Sequence, residues 1–197
     1  VTIRQIELAL VEKGFKEGYI VPEPPAERYP LSCAVIGSGP AGLTVALLLN
    51  RAGYRVTVFE SLSKPGGILR YGIPDFKLEK WVIDRRITFM QDEGVSFETG
   101  IKAGEDISYH YLKNKFDLIC LCGGALQPRD LGIPGRESKG IHYAMDYLVQ
   151  QNMLLNGELP ENETMISAKD KHVIIIGGGD TGADCLGTAI RQGAKSI

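Results

Sequence analysis

Ala34-Val35-Ile36-Gly37-Ser38-Gly39-Pro40-Ala41-Gly42 carries an apolar run into a glycine turn and straight on into an apolar segment at helical spacing. Strand, tight turn and helix in that order are what a dinucleotide pyrophosphate demands. Gly37 permits the sharp turn, Gly39 lets phosphate approach the backbone, and Gly42 lets the helix lie close against the strand. Pro40 suits the first helical position, where no intrahelical donor is lost. The free N–H groups and positive dipole end of that helix then face the phosphates, with Ser38 and Ala41 between the glycines. The helix is predicted to close on Gly53, a left-handed cap. A second strand, Arg55 to Phe59, ends on Glu60, eighteen residues beyond Gly42. A carboxylate there can accept hydrogen bonds from an adenosine ribose; the plainer alternative is a solvated charge at a strand end.

The same device returns at Val173-Ile-Ile-Ile-Gly177-Gly178-Gly179-Asp180-Thr181-Gly182. Its glycines at 177, 179 and 182, and the cap at Gly193, each lie 140 residues after their counterparts. One glycine turn is weak evidence, because such turns have other uses; two, each after an apolar strand and before a helix, predict two dinucleotide-binding units. By the same offset the counterpart of Glu60 is position 200, beyond the 197 residues of the sequence. That position and those after it separate NAD from NADP, so the nicotinamide preference is not written here. The expectation is a fragment of a longer polypeptide, with its second unit truncated.

Between the two turns the order is βα-based, favouring an α/β fold with doubly wound parallel sheets. Helices are predicted over 79–93, stopped by Gly94, over 109–115 and over 142–155; strand is predicted around Val95, Phe97 and Ile101 and over 117–122. The loop from Ser61 to Asp75 is too rich in glycine and apolar residues for a simple connector. Gly66 and Gly67 permit close backbone approach, while Ile68, Leu69, Tyr71 and Ile73 could cover a flat ring system, or simply pack as a surface loop. Residues 2–17 read as a helix with Thr2 and Gln5 at capping-box spacing and Ile3, Ile6 and Leu10 on one face, whose partner is not evident. Pro22, Pro24, Pro25 and Pro30 follow as an extended linker. The expected division is therefore 1–31, helix and linker; 32–132, first part of one dinucleotide-binding domain; 133–197, the start of a second, entered through a polar loop at 157–171.

Composition narrows the classes of function. The chain is 44% apolar and 23% charged, with 22 basic against 24 acidic residues and a net charge of −2. No basic run follows a nucleic-acid backbone, so no nucleic-acid partner is expected. No apolar stretch reaches the roughly 18 residues of a membrane span and no leader is visible, which predicts a soluble, cytoplasmic protein without a membrane partner. Cys33, Cys120, Cys122 and Cys185 lack paired C-x-x-C spacing, and His110, His142 and His172 have no ligand spacing with them, so no metal site is expected. Cys120 and Cys122 lie two apart in a strand, about 6.6 Å along it, which suits buried small residues better than a disulfide.

Four stretches together carry a resemblance. Val35-Ile-Gly-Ser-Gly-Pro-Ala-Gly-Leu43, Gly66-Gly-Ile-Leu-Arg-Tyr-Gly-Ile-Pro-Asp-Phe-Lys-Leu-Glu-Lys80, Arg129-Asp-Leu-Gly-Ile-Pro-Gly-Arg136 and Ile175-Ile-Gly-Gly-Gly-Asp-Thr-Gly-Ala-Asp-Cys185 resemble the small (beta) subunit family of NADPH-dependent glutamate synthase and its related flavoprotein oxidoreductases. The resemblance implies two Rossmann-like units, the first for FAD and the second for NADP, with NAD as the alternative. By position, Gly37, Ser38, Gly39, Pro40, Ala41 and Gly42 would meet the FAD pyrophosphate and Glu60 the ribose. Gly67, Ile68 and Leu69 would line the flavin side, and Gly177, Gly178, Gly179, Asp180, Thr181 and Gly182 would hold the phosphates of the nicotinamide cofactor. It implies an NAD(P)H-dependent oxidoreductase in which a hydride passes to FAD and electrons pass through iron–sulfur clusters to a large subunit that makes glutamate. The clusters belong to an upstream cysteine-rich domain of the full-length protein, of which residues 2–17 would be the last remnant; the fragment alone is expected to be inactive. No catalytic acid or base of the protein is needed for the hydride step. Two other readings stand beside it: an electron-input subunit of another reductase, pyrimidine- or ferredoxin-linked, and a non-catalytic dinucleotide-binding module.

Overall fold

The computed structural model describes residues 2–159 and 165–197, so part of the polar connection at 157–171 lies outside the described residues. Four parallel strands, β1 (Ser32–Ile36), β2 (Arg55–Glu60), β3 (Ser96–Thr99) and β4 (Leu118–Leu121), form one sheet in the order β3-β2-β1-β4. The order reverses at β1, and the crevice beyond the carboxyl ends of β1 and β4 is where open α/β sheets take ligands. The first glycine turn leaves β1 at that point.

The period of two along β1 sorts the core. Cys33 and Val35 face one layer with Leu43, Ala46 and Leu47 of α2 (Pro40–Arg51) and Ile83, Ile87 and Met90 of α4 (Lys80–Asp92). Ala34 faces the other layer, where Phe59 meets Phe116 edge-on at 5.7 Å beside Leu112 of α5 (Tyr109–Lys115). Cys33, Ala34 and Val35 are wholly buried, as a central parallel strand covered on both faces requires. The Cys33 and Cys120 sulfurs sit 3.9 Å apart as free thiols, and burial pushes the Cys33 thiol up to about 12.

Two helices of the second half follow: α6 (Ala144–Leu155) and α7 (Asp180–Gln192). A short helix, α3 (Ile68–Tyr71), lies inside the segment expected to be loop. The strand expected at 173–176 is not formed among the described residues. A ladder needs neighbours, and only a single parallel bridge, His172 with Ser196, and the bond from the Val173 amide to the Ser196 carbonyl (2.9 Å) lie alongside it. Ile174 and Ile176 are accordingly exposed.

The amino-terminal helix α1 (Ile3–Lys16) forms, but without the capping box: the Thr2 side chain makes no cap bond. Ile3, Ile6 and Leu10 are exposed, while the other end of the helix is held by Phe15 against Phe89 and by the Arg85–Glu12 ion pair at 2.7 Å. The proline-rich linker is not loose. Arg28 donates to the Asn50 side chain (2.7 Å), the Tyr54 carbonyl (3.0 Å) and the Glu93 carbonyl (2.8 Å). A Cβ on Gly94 would stand 2.4 Å from the Arg28 guanidinium, so the absence of a side chain there makes the clasp possible.

Glu93 is wholly buried at the centre of this clasp. Burial pushes its carboxyl up, but Arg51 at 2.6 Å and the Glu23 amide outweigh it and hold it below the usual carboxylate range. A depressed folded-state value means that stability is present above the ordinary carboxylate pKa and is lost as pH falls through the folded value. Glu93→Ala is expected to destabilise this chain by about 3 kcal/mol at neutral pH, since Arg51 remains half-exposed and rehydrates. Urea melts from pH 7 to 3 should show the wild-type advantage over Glu93→Gln shrinking with acid.

Candidate functional site

At the first turn, Gly37 has φ +102°, and a Cβ on it would lie 2.4 Å from the Cys122 carbonyl oxygen. A Cβ on Gly42 would lie 1.9 Å from the Gly37 oxygen, so α2 rests on the turn through the missing side chain. Gly39 is extended (φ −67°, ψ −176°), and nothing lies within 4 Å of where its side chain would begin. That open face adjoins the first turn of α2, where Pro40 brings no N–H and the amides of Ala41 and Gly42 precede the first intrahelical bond, Leu43 N–H to Gly39 O at 2.9 Å. The cradle fits a pyrophosphate: open in front of Gly39, closed behind Gly37 and Gly42.

Glu60 lies against this turn and is 6% exposed, which overturns the alternative of a solvated strand-end charge. One carboxylate oxygen accepts from the Ser38 amide (3.1 Å) and the Ser38 hydroxyl; the other accepts from the Leu62 amide (2.9 Å) and the Ser61 hydroxyl (3.1 Å). Those four bonds use the acceptor capacity of a carboxylate. A ribose hydroxyl at Glu60 would take the place of the Ser61 hydroxyl, the donor nearest solvent. Ser38 is wholly buried, and its oxygen also accepts from the Gly66 amide at 2.9 Å. It therefore ties Glu60 and the Gly66 loop to the turn instead of lining open space.

Gly67 comes closer still: a Cβ on it would stand 2.7 Å from the Gly39 Cα, at φ +50°. Gly66, Gly67 and the first turn are thus one assembly. Ile68 is exposed beside it, while Leu69 packs towards the core. Tyr71 is 2% exposed and turns away, its hydroxyl donating to Glu158 at 2.8 Å; burial pushes it up to about 12. It is not free to cover a ring. Two buried cations that sequence reasoning missed fold this segment. Arg70 donates to the Pro65 carbonyl (2.6 Å) and pairs with Asp84 (2.5 Å). The Lys80 ammonium donates to the carbonyls of Ile73 (2.6 Å) and Leu78 (3.0 Å), and burial pushes it below the usual lysine range. Neither was singled out in the sequence: Arg70 falls in the segment expected to be loop and Lys80 at the start of the helix expected over 79–93.

The second turn reproduces the first at the same 140-residue offset. Gly177 has φ +116°, Gly179 is extended (φ −81°, ψ −171°), and a Cβ on Gly182 would lie 2.6 Å from the Gly177 oxygen. Leu43 N–H to Gly39 O recurs as Ala183 N–H to Gly179 O (3.0 Å), and Tyr54 N–H to Leu49 O as Ala194 N–H to Ala189 O (3.1 Å). Arg55 N–H to Leu31 O recurs as Lys195 N–H to Lys171 O (2.8 Å). Gly177, Gly178, Gly179, Asp180 and Thr181 are all exposed. Gly178 replaces Ser38, so this turn has no hydroxyl strut, and Asp180 places a carboxylate in the first turn of α7.

Among the described residues, no group of three or more His, Cys, Asp or Glu side chains could hold a metal ion, and no helix is long and apolar enough to cross a membrane. His110 bonds Asn114 (2.9 Å) and His172 bonds Ser196 (2.7 Å), both at the surface.

The family described as pyridine nucleotide-disulphide oxidoreductase matches residues 31–197. The chain is 52% identical over 200 residues to the glutamate synthase [NADPH] small chain of Mycobacterium tuberculosis, covering all of this chain and 41% of that protein. It is 51% identical over 200 residues to the glutamate synthase [NADH] of Schizosaccharomyces pombe, covering all of this chain and 9% of that protein. Among solved structures, a variant of FprA from Mycobacterium tuberculosis superposes with a TM-score of 0.66 at 25% identity, over 80% of this chain and 36% of that one. The chain thus spans less than half of the length of each of these relatives.

Gly67→Ala is expected to destabilise the chain by about 3 kcal/mol, because its methyl meets backbone at a left-handed φ. Gly39→Ala should stay within about 1 kcal/mol of wild type, because its side chain enters open space. Urea denaturation of the two variants side by side measures the difference.

Proposed function

The chain belongs to the pyridine nucleotide-disulphide oxidoreductase family, and on that premise we propose that it is part of an electron-input flavoprotein of the glutamate synthase small-chain type. The observation that carries the proposal is the pair of congruent glycine-turn–helix units, one tied to a glycine-rich loop and one open. In this reading the first turn, Gly37 to Gly42, holds the pyrophosphate of FAD on the amides at the start of α2, and Glu60 holds the adenosine ribose. Gly67, Ile68 and Leu69 border the flavin; Gly177 to Gly182 hold the phosphates of the nicotinamide cofactor. Bound FAD would supply a ring that accepts a hydride from the reduced nicotinamide, so the protein's part is to hold, orient and shield.

The four cysteines do not fit an iron–sulfur cluster: Cys33 and Cys120 sit on adjacent strands of the sheet, Cys122 just past the end of β4, and Cys185 on α7. Clusters, if they carry electrons onward, have their ligands elsewhere in the full-length protein. The acceptor proposed is a glutamate-forming large subunit, which the name "small chain" of the bacterial relative supports. The donor proposed is NADPH, with NADH the alternative, since relatives named for each are similar to this chain to nearly the same degree.

The test is on the full-length protein. It should purify with visible flavin absorbance that bleaches anaerobically on adding NADPH, or NADH if that is the donor. Glutamate should form from 2-oxoglutarate and glutamine once the large subunit is added. A colourless protein that takes up no FAD would overturn the assignment and favour a non-catalytic dinucleotide-binding module; bleaching without glutamate formation would overturn the choice of partner. Glu60→Gln should retain FAD about tenfold more weakly, as expected for loss of hydrogen bonds to a charged acceptor.

A further inference from the structure

The segment from Gly66 to Lys80 touches both glycine-turn units. At its start, Gly66 bonds Ser38 and Gly67 abuts Gly39, so this end is part of the first turn. In its middle, the buried Asn152 of α6 donates to the Tyr71 carbonyl at 2.9 Å. Near its end, a turn closed by the bond from the Lys77 amide to the Pro74 carbonyl (2.9 Å) presents Phe76 and Lys77 to α7. Lys77 pairs with Asp184, which is 8% exposed. The Phe76 ring lies where a side chain on Gly187 would be: a Cβ there would stand 2.6 Å from the ring. Arg191 covers the ring with its guanidinium 3.7 Å from the centroid. Asp184, Gly187 and Arg191 are three or four residues apart, one face of α7, and that face is shaped for this turn.

The segment is also stiff. Lys80 draws the segment's carbonyls at Ile73 and Leu78 inward, Arg70 holds the Pro65 carbonyl just before it, and Gln192 ties α7 to α6 through Gln151 at 2.6 Å and the Tyr147 hydroxyl at 2.9 Å. Helix α7 begins at Asp180, so its position fixes the second glycine turn. We propose that the Gly66–Lys80 segment is a strut that sets the second turn at a fixed distance and bearing from the first, and that Phe76 and Lys77 are positioning residues for transfer between two dinucleotides held there. The inference rests on the reading given under Proposed function. A hydride moves only between atoms in near-attack contact, so small errors in bearing translate into large losses of rate at unchanged affinity.

The test compares Phe76→Ala and Lys77→Met with the conservative Phe76→Tyr and Lys77→Arg in the full-length protein. The double variant Lys77→Met/Asp184→Asn removes the uncompensated buried carboxylate should Lys77→Met alone fail to fold. Hydrogen exchange without nicotinamide is the first readout. The disruptive variants should exchange the amides of α7 at least tenfold faster while those of α2 and β1 keep wild-type protection. Anaerobic flavin reduction is the second. The limiting rate should fall at least tenfold, with FAD content and the half-saturating nicotinamide concentration within twofold of wild type, and the conservative variants should recover it. Unchanged exchange in α7, an unchanged limiting rate, or a loss carried entirely by the half-saturating concentration would each overturn the proposal. A wild-type protein without flavin would overturn the earlier reading and the transfer role with it, while exchange in α7 would still decide whether the strut holds the helix.

Discussion

Helix α2 can lie against β1 only because Gly42 has no side chain. The Gly37 carbonyl oxygen occupies the space a methyl would need, 1.9 Å from the ideal Cβ position, and that one contact sets the angle at which the helix leaves the strand. From it follow the aim of the α2 N-terminus, the open face at Gly39 and the room behind the turn that Cys122 closes. The apolar residues of α2 that cover Cys33 and Val35 reach the sheet by the same approach. Core and ligand cradle therefore share a hinge point, and neither can be changed without the other.

The second unit repeats this contact with less support. Its glycines adopt the same conformations and its helix starts with the same bond, yet Gly178 stands where the first turn has the Ser38 hydroxyl, and among the described residues no ladder of strands forms at 173–176. The first turn is knitted by a buried carboxylate with four donors, whereas Gly177 to Thr181 of the second are exposed. Helices α6 and α7 are bound to each other through Gln192.

Much of this was legible in the sequence. The glycine spacing located both turns, the apolar run at 33–36 gave the buried central strand, and caps at Gly53 and Gly94 bounded their helices closely, because these features depend on local sterics. What escaped reading depends on distant partners. Glu60 looked like a ribose ligand or a surface charge, and its use as a strut needed Ser38 and Leu62 in space. Tyr71 looked like a ring cover, and only Glu158, 87 residues on, shows where it turns. The strand at 173–176 had the composition of β1 but few paired neighbours to complete it. Arg70 and Lys80 carried no sign in the sequence that they would be enclosed, since a cation is buried only where carbonyls and carboxylates from several elements converge.

The Arg28 clasp has a mechanical consequence. One guanidinium joins the linker to α2, to the lead-in of β2 and to the end of α4, so the prolines before it act as a bracket instead of a tether. Helix α1, bolted at its far end by Phe15 and Arg85, is then carried at a set bearing, and its row of Ile3, Ile6 and Leu10 is a presented surface with a fixed address on the molecule. A group on that row would hold a constant distance from the first glycine turn, governed by the stiffness of folded protein and not by the sweep of a chain.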